Sequence, residues 1–411
     1  MSAAMLLSVV LNAAVAFEHV NVEIGDGLVL TDTTVVVVDG RIASVGRGPV
    51  PEGATRIDGG GTKTLAPGFI DAASPLGLRE VDLEPSTLDE AMNGAVLVPG
   101  FRVADGFNPL SVRIPSAREE GVTGAVLAPG SGVLAGTGHW VVLTGTMSSM
   151  PDMKKPVAMF GDVGNGGAAL SGGARGGLWL KLREVVADAR WYAKNKTAVE
   201  QNRSRALALS PLHLEALLPV LEGRLPLVLS AHRASDILEA VRFGQEEKLR
   251  VVIAGGSEAW LVAAELEAAR VPVLLVPSNL VPGSFEQLRA RDDVATRLDA
   301  AGVSVAIACN DMSRRRLRQE AGIAVSYGLP RAKALSAITL QPAKALGLDK
   351  DVGSVERGKR ADLVLWSGDP LELSSFAEKV FIAGVEQPLA TRQTKLVERY
   401  LQRVKPAAKK R

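Results

Sequence analysis

Leu225-Pro226-Leu227-Val228-Leu229, the amphipathic run Ala234 to Phe243, the apolar run Leu249 to Ile253 and the helical period Glu258 to Ala269 follow one another in strict alternation. Short, wholly apolar strands read as buried on both faces, and helices between them can only pack outside the sheet. That combination predicts a parallel sheet covered by helices. The same texture extends in both directions. Val122-Thr123-Gly124-Ala125-Val126-Leu127, Val271 to Val276 and Val303 to Ala308 read as further strands, the last leading into a helix from about Leu317. Over residues 66–345 the favoured arrangement is a closed (β/α)8 TIM-type barrel.

The flanks have a different period. Val20-Asn21-Val22-Glu23-Ile24 alternates, Thr33 to Val38 is β-branched, and Asp39-Gly40 turns the chain into Arg41-Ile42-Ala43-Ser44-Val45 as a hairpin. Beyond residue 352, Gly353-Ser354-Val355, Ala361 to Trp366 and Val380 to Gly384 are strand-like again. Residues 17–65 and 346–390 are therefore expected to meet in one composite β-sandwich, followed by a terminal helix and basic tail over 391–411. The small-residue segment Gly164 to Gly177 reads as a flexible barrel loop, because no Gly-Lys-Ser/Thr follows it to make a phosphate loop.

The chain has 411 residues, 47% hydrophobic and 22% charged, enough for a catalytic-size domain and a companion. A net charge of +2 calls for neither nucleic acid nor an anionic surface, and the basic end Lys405 to Arg411 reads as a solvated tail. One cysteine, Cys309, excludes a disulfide framework and a thiolate zinc cluster. Residues 1–16 carry an apolar run ending in Ala14-Val15-Ala16, which reads as a signal peptide and implies a periplasmic or secreted protein. The alternatives are a start trimmed from a longer signal, or a buried first strand in a cytoplasmic protein. No stretch of the mature chain reads as a membrane span.

Three stretches carry a resemblance: Leu65-Ala66-Pro67-Gly68-Phe69-Ile70-Asp71; Ser230-Ala231-His232-Arg233; and Pro342 to Leu348 continuing through Val352-Gly353-Ser354-Val355-Glu356-Arg357-Gly358-Lys359-Arg360-Ala361-Asp362-Leu363-Val364-Leu365-Trp366. Together they resemble the amidohydrolase superfamily, in its imidazolonepropionase-like branch. The resemblance implies the barrel, the composite β-sandwich, and an ancestral reaction in which zinc or another divalent metal activates water against a non-peptide, cyclic-amide C–N bond. Its ligands are expected at the C-terminal ends of the barrel strands.

Laid on this chain, the implied ligand pattern is degenerate. The His-x-His expected after the first barrel strand falls on Ala73 and Pro75. The His-Ala-His-Arg pattern after the fifth falls on Ser230 to Arg233, with only His232 retained. The strand-six histidine falls on Gly255. After the eighth strand the aspartate position falls on Asn310, leaving Asp311 as a shifted candidate, and Asp162 is a weak candidate for the strand-four ligand. No family-type metal is expected, unless the family chemistry persists. The other histidines read as structural: His139 satisfied in an apolar strand, His213 at a helix start on the surface, His19 in the β domain. Cys309 reads as a small strand-end residue.

A barrel without its metal still has a cup. His232 and Asp311 are the candidate acid–base pair; Arg102, Asp105, Arg233, Glu258 and Asn310 are candidate ligand-binding residues. Ser74, Arg79, Glu80, Asn108, Ser131 and Asp236 are further polar residues expected near that cup. The expected partner is a small molecule at the barrel mouth, and the fold admits a homodimer. Two readings follow: a non-catalytic or altered small-molecule-binding barrel, or a cyclic-amide hydrolase acting through a reduced or rearranged metal site.

Overall fold

The structure, a computed structural model, describes residues 14–309 and 317–404. Five strands open the chain: β1 (Val15–Glu23), β2 (Val29–Val38), β3 (Arg41–Val45), β4 (Thr55–Asp58) and β5 (Thr64–Pro67). Three close it: β14 (Leu363–Trp366), β15 (Ala377–Ile382) and β16 (Val385–Gln387). Both ends join through β14, which pairs antiparallel with β5. The hydrogen bonding draws one continuous sheet, β16-β15-β14-β5-β1-β2-β3 with β4 also on β1, where the sequence suggested a two-sheet sandwich. β1 and β15 lie three steps apart, roughly 14 Å in a flat sheet. Yet the Phe17 and Phe381 rings meet edge to face at 5.0 Å, so the sheet curves around a core of its own.

Val15 and Ala16, the end of the expected leader, are the first residues of β1 and pair with Val37 and Val36. The remainder of that leader, 1–13, lies outside the described residues.

The barrel sheet runs in the order β13-β12-β11-β10-β9-β8-β7-β6. Its strands are β6 (Phe69–Ser74), β7 (Val122–Leu127), β8 (Gly136–Val142), β9 (Pro156–Asp162), β10 (Leu227–Ala231), β11 (Val251–Gly255), β12 (Val273–Leu275) and β13 (Val305–Ile307). The two ends of the path meet where the Asp71 carboxylate accepts from the Cys309 amide at 3.4 Å. One strand departs from the parallel expectation. β8 runs antiparallel to both β7 and β9. Only eight residues, Ala128 to Ala135, separate β7 from β8, too few for the crossover a parallel neighbour needs.

Alternate residues point inward and pack one apolar plug. Ala72, Val126, Ala158, Phe160, Val228, Val252, Leu274 and Ala306 fill the barrel below its mouth. The other faces of the same strands pack against the surrounding helices in a second, larger core.

The Gly164–Gly177 segment is not a loop. It forms helix Asn165–Leu170, a short turn, and the start of helix Arg175–Lys194. Its small residues serve approach rather than flexibility: a side chain at Gly167 would overlap the Asp162 carbonyl, and one at Gly166 would overlap the Asp162 carboxylate.

Candidate functional site

A cavity of about 770 Å³ opens at the C-terminal ends of the barrel strands. Phe160, Val228, Leu274 and Ala308 form part of its apolar lining, together with Ala73 and Pro75 at the end of β6 and Ala254 and Gly255 on β11. Its polar wall includes Asp162, Ser230, His232, Ser257 and Gln287, with Ser74, Ser131, Arg79 and Glu90 on the remainder.

His232 follows β10 and is held from one side. Its Nδ1 lies 2.8 Å from Ser257 Oγ and 3.1 Å from Gln287 Nε2. An amide nitrogen only donates, so this hydrogen bonding assigns Nδ1 as the acceptor and leaves the ring proton on Nε2. Burial pushes the His232 pKa down, against the pull of Glu286 and Asp162. The ring is therefore neutral at pH 7. It also lies flat against β11: a Cβ at Gly255 would stand 2.6 Å from Cε1 and 2.8 Å from Nε2. Gly255 has φ +92°, a conformation that side chains avoid.

Asp162 ends β9. Its Oδ1 accepts from the Gly164 amide at 2.8 Å. Burial pushes its pKa up, the amides of Gly164 and Gly167 oppose this, and Glu286 adds to the rise. Behind it, Glu286 accepts from the Asn165 amide at 2.8 Å and lies 3.7 Å from Arg175. Arg175 spends its Nε on both Asp236 oxygens, at 2.7 and 2.8 Å. One guanidinium thus serves two carboxylates, and among the described residues no cation pairs with Asp162. Across the mouth, Arg79 donates through Nε to Glu90 at 2.9 Å, while Glu90 Oε2 is buried without a partner.

The sequence candidates scatter. His232 lines the cavity. Asp311 and Asn310 lie outside the described residues. Arg102 and Asp105 pair with each other at 3.1 Å, half exposed, away from the cavity lining. Arg233 precedes helix Ala234–Glu247 with its side chain in solvent. Glu258 is buried, but its carboxylate accepts from the amides of Ala234 and Arg289, at 3.0 and 3.1 Å. It ties the start of one helix to a neighbouring loop, and backbone bonding consumes the acceptors that a ligand would need. Glu80 and Asn108 bond each other at 3.3 Å outside the lining. His139 is completely buried in β8, and neither ring nitrogen reaches a partner at hydrogen-bonding geometry, although the backbones of Met153 and Thr137 approach. The sequence reading had it satisfied.

Ser257, Gln287, Glu286, Arg175 and Glu90 escaped the sequence reading. Ser257 follows the Gly255-Gly256 pair directly, a signal that the barrel register could have supplied. Gln287 and Glu286 come from the aperiodic stretch after β12, where nothing in the sequence fixes direction. Among the described residues no group of three or more His, Cys, Asp or Glu side chains is arranged to hold a metal ion.

Comparison with known proteins agrees with this architecture. The amidohydrolase family model matches residues 252–390. An imidazolonepropionase of Aromatoleum aromaticum is 43% identical over 102 residues, 23% of this chain and 24% of that protein. One from Legionella pneumophila is 36% identical over 94 residues, 21% of this chain and 23% of that protein. The chain thus aligns with about a quarter of the length of these curated relatives. An amidohydrolase from Thermotoga maritima superposes with TM-score 0.81 at 29% identity, covering 90% of this chain and 99% of that one. A zinc-bound adenosine deaminase of Xanthomonas campestris shares the fold alone, with TM-score 0.54, 19% identity, and coverage of 95% and 97%. Barrel, composite sheet and C-terminal sequence point one way: residues 252–390 match the amidohydrolase family, and the matches together support the superfamily's imidazolonepropionase-like branch.

Proposed function

We propose that this chain is an amidohydrolase-type barrel that binds a polar small molecule in its mouth and does not run the family's metal chemistry. The observation that carries the reading is the replacement of donors at the cavity wall. Ala73, Pro75 and Gly255 stand where the resemblance calls for imidazoles, all three line the cavity, and the His232 ring covers Gly255. Of the donors that remain, His232 Nδ1 is bound to Ser257 and Gln287, and one Asp162 oxygen to Gly164. Among the described residues this donor set does not fit the family's metal centre. Among the described lining residues Asp162 and Glu90 stand against Arg79, with His232 neutral, which favours a neutral or cationic ligand over an anion.

The second reading is a cyclic-amide hydrolase with a reduced or rearranged zinc or other divalent-metal site. One observation favours it: Asp162 and His232 line the same cavity and feel each other electrostatically. Elemental analysis of protein purified without chelators, repeated after zinc loading, separates the two. The binding reading expects no stoichiometric metal, together with thermal stabilisation by amines or neutral polar molecules. About one equivalent of metal, lost in His232→Ala or Asp162→Ala, overturns it.

A further inference from the structure

The terminal helix Arg392–Val404 is amphipathic in an unusual sense. Its positions 392, 395, 396 and 399 face the barrel body across a groove of about 490 Å³, and three of these four are cations: Arg392, Lys395 and Arg399. The apolar residues of the next stripe, Val397, Tyr400 and Leu401, are 55%, 52% and 55% exposed. The opposite wall of the groove adds Leu110 and Val112, 57% and 54% exposed. A helix that only completes a globular fold buries its apolar stripe; here that stripe is exposed together with all three cations.

Charge complementarity points to the occupant. From Thr391 to Arg411 the sequence holds eight Lys or Arg residues against the single acid Glu398, in a chain whose net charge is +2. The remaining residues are therefore net acidic, and the near-neutral average conceals a strongly basic end. Cations alone would suit any polyanion, and an apolar stripe alone would suit any apolar surface. The two on one short helix suit an interface that is anionic outside and hydrocarbon beneath. No described helix is long and apolar enough to cross a membrane, so contact would be with the surface.

We propose that the C-terminal helix seats this protein on anionic lipid surfaces, with Val397, Tyr400 and Leu401 entering the acyl boundary and the flanking Arg and Lys residues at the headgroups. Sedimentation of the full-length chain with vesicles of equimolar phosphatidylcholine and phosphatidylglycerol tests this. Binding at low salt is expected, lost at high salt and absent on phosphatidylcholine alone. The double variant V397S/L401S should weaken it about tenfold or more while leaving the melting temperature unchanged, since both side chains are exposed. R392Q/K395Q/R399Q should also weaken it. Three results overturn the proposal: no binding to the mixed vesicles, equal binding to phosphatidylcholine alone, or a dimer in gel filtration that V397S/L401S dissociates. The last would assign the stripe to a second copy of the chain.

Discussion

Restoring a side chain at position 255 tests the central feature of the barrel mouth, the stacking of His232 over Gly255. In Gly255→Ala the new Cβ lands 2.6 Å from His232 Cε1, well inside contact distance. The ring is the part that can move, and moving it breaks the Nδ1 contacts to Ser257 and Gln287. Two hydrogen bonds at about 1 kcal/mol each, plus about 1–2 kcal/mol for a non-glycine residue at φ +92°, give a cost of roughly 3–4 kcal/mol. In a His232→Ala background the clash is gone and only the backbone term of about 1–2 kcal/mol remains. The double-mutant cycle should therefore show a coupling of about 2 kcal/mol. Urea denaturation followed by circular dichroism measures all four proteins. If Gly255→Ala costs the same in both backgrounds, the ring does not occupy that space. A histidine at 255 would then be sterically admissible, and the argument against the family's metal centre would lose its geometric half.

Further outcomes follow from other parts of the structure. His232 is neutral in the fold with its pKa below the ordinary 6.5, so its contribution to stability is complete above about pH 6.5 and falls as pH drops through the folded value; His139, also depressed by burial, shares the window. His232→Asn should flatten the acid limb of a stability-versus-pH curve, and an unchanged limb would assign it elsewhere. Arg331 bridges Asp369 and the buried Glu23, at 2.7 and 2.8 Å, joining the β domain to a barrel helix. Arg331→Ala should cost about 3 kcal/mol at pH 7, because it strands a buried carboxylate, and progressively less as the pH falls, because burial raises the Glu23 pKa and it takes up a proton more readily than an ordinary carboxyl. A loss that is independent of pH would refute the stranded-charge account. Gly167→Ala should destabilise by about 1–3 kcal/mol or more by pushing the following helix off β9, and wild-type stability would show that this helix is free to shift.

Part of the cavity lining was legible one residue at a time. Ala73, Pro75 and Gly255 could be read as departures from a ligand pattern because that pattern is tied to strand ends, and the strand ends are marked by apolar runs. Arg102, Asp105 and Glu258 were misplaced for a common reason. A polar residue after a strand is near the mouth, but whether it faces the cavity depends on what its loop needs. Glu258 was claimed by two backbone amides, and Arg102 by its neighbour Asp105.

Residue type and period, which a linear chain carries in full, dictated the alternation that makes a barrel and the union of the two chain ends. Tertiary structure alone decided that β8 runs backwards, that the Gly-rich segment coils against Asp162, and that Ser257, Gln287 and Glu286 converge on His232 and Asp162. These depend on loop closure and on which side chain occupies a shared volume. His232 and Gln287 are 55 residues apart in sequence, and only packing brings them to 3.1 Å.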